Sequence, residues 1–171
     1  SMCGKGPDGT LYFDTNKGLI FFHPDSIIDD PTPPQVVLSG ISLFDRPGEK
    51  LNYEGFISEL KEITLPYEQN DLRFDFVGLH FSAPERNKYK YILENFNKDW
   101  VDAGNQRYAN YTNLNPGEYV FRATASNKDG VWNETGISIT IIITPPWWAT
   151  TWAYIFYALA LISLIYFTWK L

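Results

Sequence analysis

The chain has 171 residues, of which 44% are hydrophobic, 17% aromatic and only 20% charged, which excludes a disordered tail and allows one well-buried domain with small additions. The formal charge of -6 is uneven: the part before Trp147 carries 13 basic and 20 acidic residues, a net -7, while only Lys170 is charged beyond it. An acidic body without grouped Lys and Arg argues against nucleic-acid binding, and a single cysteine, Cys3, excludes an intrachain disulfide.

Ser1-Met2 reads as a cloning remnant, and no apolar leader precedes Cys3, so the chain is expected to be a piece of something longer. Turn signals at Asp8-Gly9 and Asn16-Lys17-Gly18 frame two short strands, Leu11 to Phe13 and Leu19 to Phe22. Two strands cannot bury a core, so residues 1–28 are expected to be the end of a larger sheet. Residues 29–35, rich in proline from Pro31 to Pro34, form an extended linker.

Residues 36–146 are predicted to form an antiparallel β-sandwich, giving the chain an all-β fold class. Strands are expected from Val36 to Phe44 and from Glu62 to Leu65. In the next one, Leu72, Phe74 and Phe76 share a face opposite Arg73 and Asp75, and Gly78 is read as a bulge. Tyr89, Tyr91 and Leu93 alternate with Lys88, Lys90 and Ile92; Tyr119, Phe121, Ala123 and Ala125 alternate with Val120, Arg122, Thr124 and Ser126. The last strand places Ile137, Ile139, Ile141 and Ile143 on one face. Asn115-Pro116-Gly117 and Asp129-Gly130 supply turns, and no amphipathic helix is expected inside the sandwich.

Residues 147–171 differ in kind. Trp152 to Trp169 is apolar apart from Ser163 and Thr168, and 18 residues at about 1.5 Å each span about 27 Å, close to a bilayer's hydrocarbon thickness. Trp147, Trp148 and Trp152 at one end and Tyr166 and Trp169 at the other form the aromatic belts of a transmembrane helix. Lys170 favours a cytoplasmic C-terminus.

Little in the chain points to catalysis, and no cofactor or metal is expected. His23 and His80 are far apart and lack companion ligands; no Ser or Cys stands in a nucleophile context; Asp71 and Asp75 read as a solvated edge. Asn127-Lys128-Asp129-Gly130 lacks the later Glu of a calcium loop and reads as a hairpin turn. Trp100 and Trp132 read first as residues packed in or beside the core, with stacking platforms for sugar rings, which would make them the candidate ligand-binding residues, as the other reading. The sequons at Asn110 and Asn133 are taken as accidental. At the junction, Pro145 and Pro146 have fixed φ and no N–H, and Thr144 is held extended before them, so the connector to Trp147 and Trp148 is stiff enough to transmit displacement. The plainer reading is that the prolines end a strand and start a helix cleanly.

Leu114-x-Pro116-Gly117-x-Tyr119 running into an alternating strand resembles the tyrosine corner of fibronectin-type sandwiches. With Tyr91, Trp100, Tyr111 and Asn127-x-x-Gly130-x-Trp132, it is similar to the Y_Y_Y domain, the last periplasmic module of hybrid two-component sensor kinases of Bacteroidetes. Gly9-Thr10-Leu11-Tyr12-Phe13 and Gly18-Leu19-Ile20-Phe21-Phe22 resemble the closing repeat of the regulator propeller that precedes this domain. Thr144-Pro145-Pro146-Trp147-Trp148 before an apolar helix is typical of these receptors.

The resemblance implies a non-catalytic relay module in the periplasm, anchored in the bacterial inner membrane through residues 147–171. Its partners would be its own propellers and a second copy in a homodimer. The parent kinase would sense an oligosaccharide and switch on genes for its breakdown. The competing reading is a membrane-tethered carbohydrate-binding or adhesion sandwich.

Overall fold

The computed structural model describes residues 3–26, 29–46, 51 and 56–170; Ser1-Met2 lies outside the described residues. The chain divides into two compact units, 1–32 and 33–171. In the first, β1 (Cys3–Lys5), β2 (Leu11–Thr15) and β3 (Gly18–Phe22) form an antiparallel meander in the order β1-β2-β3. Gly9, at φ 91°, makes the first turn, and the Asp8 carboxylate caps it by accepting from Thr10 Oγ1 at 2.7 Å and Thr10 N at 3.1 Å. Those bonds hold the Asp8 carboxyl below its ordinary pKa. Tyr12 stacks on Phe21 and Phe13 on Phe22, while Leu19, Ile20 and Phe21 remain exposed.

The second unit is a two-layer sandwich. One sheet has the order β4-β6-β9, from β4 (Gln35–Leu43), β6 (Leu72–Leu79) and β9 (Tyr108–Tyr111). The other has the order β5-β11-β10-β7-β8, from β5 (Glu62–Pro66), β7 (Lys88–Glu94), β8 (Val101–Gly104), β10 (Gly117–Ser126) and β11 (Ile137–Thr144). Pairing is antiparallel except between β5 and β11, which run parallel with Ile143 opposite Leu65 and Thr144 opposite Pro66.

Period-2 alternation makes the core. Leu72, Phe74 and Phe76 of β6 face Leu93, Phe121 and Ile139, Ile141 and Ile143 of the other sheet, all of them buried. The rings of Phe74 and Phe121 stack across the layers at 4.2 Å, only 9° from parallel.

Gly78 corrects one expectation. Its strand keeps regular register there, with Gly78 opposite Val36, and the bulge lies instead in β4 between Leu38 and Gly40. Glycine at 78 relieves crowding, since a Cβ there would lie 3.0 Å from the Ala125 Cβ and 3.3 Å from the Pro34 Cβ. It is a site of close approach between the layers.

After β11 a 3-10 turn, Trp147–Ala149, leads into α1 (Thr151–Lys170), the one α-helix among the described residues. Twenty residues at about 1.5 Å span about 30 Å. None of its described residues is buried, and by length and composition the helix is able to cross a membrane.

Candidate functional site

The tyrosine corner closes the end of the sandwich from which the helix departs. Tyr119 Oη donates to the Asn115 carbonyl at 2.9 Å while its ring is buried. Leu114 is buried beside it, its N–H on the Asn70 carbonyl at 3.1 Å; Pro116 and Gly117 are exposed in the turn. Tyr111 Oη donates to Asn97 Oδ1 at 2.6 Å, and the same oxygen accepts the Leu93 N–H at 3.0 Å. Tyr91 packs among Phe76, Tyr111 and Phe121. Burial pushes the phenols of Tyr111 and Tyr91 above their ordinary pKa, because the charged form is desolvated. Tyr91, Tyr111, Leu114 and Tyr119 thus pack and fix loops.

The exit to the helix is held at several points. Thr144 Oγ1 donates to the Leu65 carbonyl at 3.3 Å, tying the end of β11 to β5. Pro145 and Pro146 follow, and the Ala149 N–H returns to the Pro146 carbonyl at 2.9 Å to close the 3-10 turn. Thr150 joins turn to helix: its Oγ1 donates to the Trp147 carbonyl at 2.8 Å and accepts the Ala153 N–H at 3.4 Å, the N-cap bond of α1. Trp148 meets Tyr67 edge to face at 5.1 Å, and Trp147 meets Trp148 at 5.5 Å. The connector is therefore pinned to the sandwich by a strand pair and an aromatic contact.

Trp100 and Trp132 come together on the outer face of the five-stranded sheet. Neither is in the core: Trp100 is 46% exposed and Trp132 partly buried. They border a groove of about 250 Å³ with Lys90, Arg122 and Glu134 among its other walls. Lys90 Nζ lies 4.4 Å from the centre of the Trp132 ring and 5.7 Å from that of Trp100. The cation occupies a face of each indole, which leaves less bare ring for a sugar than the sequence alone implies. Arg122 is held by Glu94 at 2.9 Å.

The remaining polar candidates have structural partners. His23 Nε2 lies 2.8 Å from the Asp8 carbonyl and His80 Nδ1 3.2 Å from that of Ser82. Asp71 accepts the Asn113 N–H at 2.6 Å, and Asp75 pairs with Arg73, which stacks on Tyr108. Asn127 Oδ1 accepts the N–H groups of Asp129 and Val131, so this side chain builds the turn. Asn133 Nδ2 donates to the Pro34 carbonyl.

Two layers around an aromatic core, a tyrosine corner and a pinned exit define an immunoglobulin-like β-sandwich module continuous with an apolar helix. Residues 80–144 match the Y_Y_Y domain family. Over 166 residues it is 31% identical to Histidine kinase P4 of Formosa agariphila, an alignment that spans 92% of this chain and 12% of the kinase. It superposes with a TM-score of 0.66 at 31% identity on the extracellular domain of BT3049 of B. thetaiotaomicron, described as a hybrid two-component system, covering 84% of this chain and 20% of that one. The extracellular domain of BT4673 of the same organism matches with a TM-score of 0.59 at 25% identity, over 82% of this chain and 19% of that one. The chain thus spans about one-eighth of the kinase and one-fifth of the solved domains it matches.

Proposed function

We propose that this chain is the juxtamembrane relay module of a hybrid two-component sensor kinase, with the sandwich in the periplasm and α1 crossing the inner membrane. Residues 1–28 are the last piece of a propeller, joined through 29–35 to a sandwich ending at 146. The exposed apolar row Leu19, Ile20 and Phe21 on β3 supports that reading, because such a strand belongs beside further structure. The observation that carries the relay is the exit: β11 lies in the core, is bonded to β5, and runs through two prolines into a turn whose Trp148 packs on Tyr67. A displacement of the sandwich therefore reaches the helix without a flexible segment to absorb it.

In the parent receptor the input is an oligosaccharide held largely by the propellers, and the output is a rearrangement within a dimer. Inserting four Gly/Ser residues between Thr144 and Pro145 of the full receptor uncouples ligand from kinase activity. Undiminished ligand response in that variant would refute the rigid relay. Analytical ultracentrifugation of the complete periplasmic region, with and without ligand, checks the dimer; a monomer in both cases removes that part of the reading. Direct capture of oligosaccharide by this chain alone, lost in Trp132→Ala, would instead favour a carbohydrate-binding module.

A further inference from the structure

The loops around Tyr67 form one connected surface. Gln69 N bonds to the Pro66 carbonyl, Arg46 Nη2 to the Glu68 carbonyl at 2.6 Å, Phe44 N to the Asp71 carbonyl at 2.8 Å, and Leu114 N to the Asn70 carbonyl. Asn95 Nδ2 reaches the Glu118 carbonyl at 3.0 Å, and Phe96 packs edge-on against Tyr111. This surface presents Phe44, 47% exposed, and Phe96, 51% exposed, at the same end of the sandwich as Trp147 and Trp148.

Indoles flanking a membrane helix settle at the headgroup layer, where an apolar ring meets water. Trp148 precedes the first residue of α1 by three positions and touches Tyr67 at 5.1 Å, so the Tyr67 loop lies at that depth too. We propose that this end of the sandwich rests on the bilayer, with Phe44 and Phe96 entering the headgroup layer beside the two tryptophans. The inference rests on α1 spanning the membrane. The partner is a zwitterionic lipid surface, because among the described residues of these loops Asp45, Glu68, Asp71 and Asp99 stand against Arg46 and Lys98. Such seating would fix the tilt of the sandwich, so that a relayed motion turns the helix instead of rocking the domain.

The test uses the full chain in phosphatidylcholine nanodiscs, with Cys3→Ser as background and one environment-sensitive fluorophore at a time on Phe44→Cys, Phe96→Cys, Phe81→Cys or Leu161→Cys. Phe81, 98% exposed, is the control: it follows the end of β6 paired with Gln35, whereas Phe44 follows the end of β4 paired with Leu72. Nitroxide placed on the lipid headgroup is expected to quench positions 44 and 96 at least twofold more than 81, and nitroxide deep in the acyl chain to quench 161. Quenching at either 44 or 96 no greater than at 81, with 161 quenched, overturns the seating and leaves the spanning helix standing. Absence of quenching at 161 removes the spanning reading and the seating with it. Asp45→Cys and Lys98→Cys, exposed neighbours, replace the phenylalanine variants if those fail to fold, under the same criterion.

Discussion

The Tyr119 hydroxyl donates a 2.9 Å hydrogen bond to the carbonyl of Asn115, four residues earlier, and so closes the loop that leads into the central strand β10. Tyr119→Phe keeps the ring and removes only this bond. Asn115 is exposed, so its carbonyl recovers a water and the cost should fall at the low end of the usual ~0.5–1.5 kcal/mol. Denaturant unfolding in mild detergent should show a lower midpoint at unchanged slope. An unaltered midpoint would mean that the ring alone makes the corner.

The Phe74–Phe121 stack is a different kind of contact, because both rings are fully buried and join the two sheets. Phe121→Ala leaves a cavity in the middle of the core and is expected to cost about 3–5 kcal/mol, several times the loss at Tyr119. Phe121→Leu should recover most of it. If the alanine variant were no less stable than Tyr119→Phe, the two sheets would not depend on this stack.

Much of the sandwich was legible because burial on one face forces alternation, as at Leu72, Phe74, Phe76 and Ile139, Ile141, Ile143. The shorter strands escaped. β8 lies at a sheet edge with no fully buried residue, β9 has four residues, and β1 has three exposed ones. The parallel pairing of β5 with β11 depends on the path of the chain, which local pattern does not encode. The same holds for the site. Pro145, Pro146 and the tryptophans stand out as residues, but Tyr67 under Trp148 and Lys90 over Trp132 are contacts between distant segments. The Thr150 cap was readable in principle: a Thr just before an apolar helical run is an N-cap signal.

Two glycines with nearly the same φ separate strain from collision. Gly104 has φ 56° and open space where a methyl would sit, whereas Gly136 has φ 57° and a Cβ there would lie 2.5 Å from the Ala123 carbonyl oxygen. Gly104→Ala should cost only the left-handed conformation, about 1–2 kcal/mol. Gly136→Ala adds a clash with backbone that cannot swing aside, and its midpoint should drop clearly further. Equal losses would show that the loop before β11 shifts to make room.

Stability should also decline at high pH, and Tyr111 is the group to follow. Its phenol is buried, donates to Asn97 Oδ1 at 2.6 Å, and is pushed above its ordinary value first by desolvation and then by the neighbouring Tyr91. In the unfolded chain a tyrosine loses its proton near pH 10. Below that pH both states hold the proton and the contribution is fully present. Above it the unfolded chain releases the proton while the folded chain keeps it, so the folded state binds more protons and the unfolding free energy falls as pH rises. The limiting slope for one such group is about 1.4 kcal/mol per pH unit, reached between the unfolded and folded values. Melting temperatures measured from about pH 8 to 11 should therefore fall above ~10, and Tyr111→Phe should flatten the decline. Tyr91 is shifted the same way, so some slope should survive in that variant and disappear further in the double phenylalanine variant. An alkaline decline as steep in Tyr111→Phe as in the parent chain would place the titrating group elsewhere.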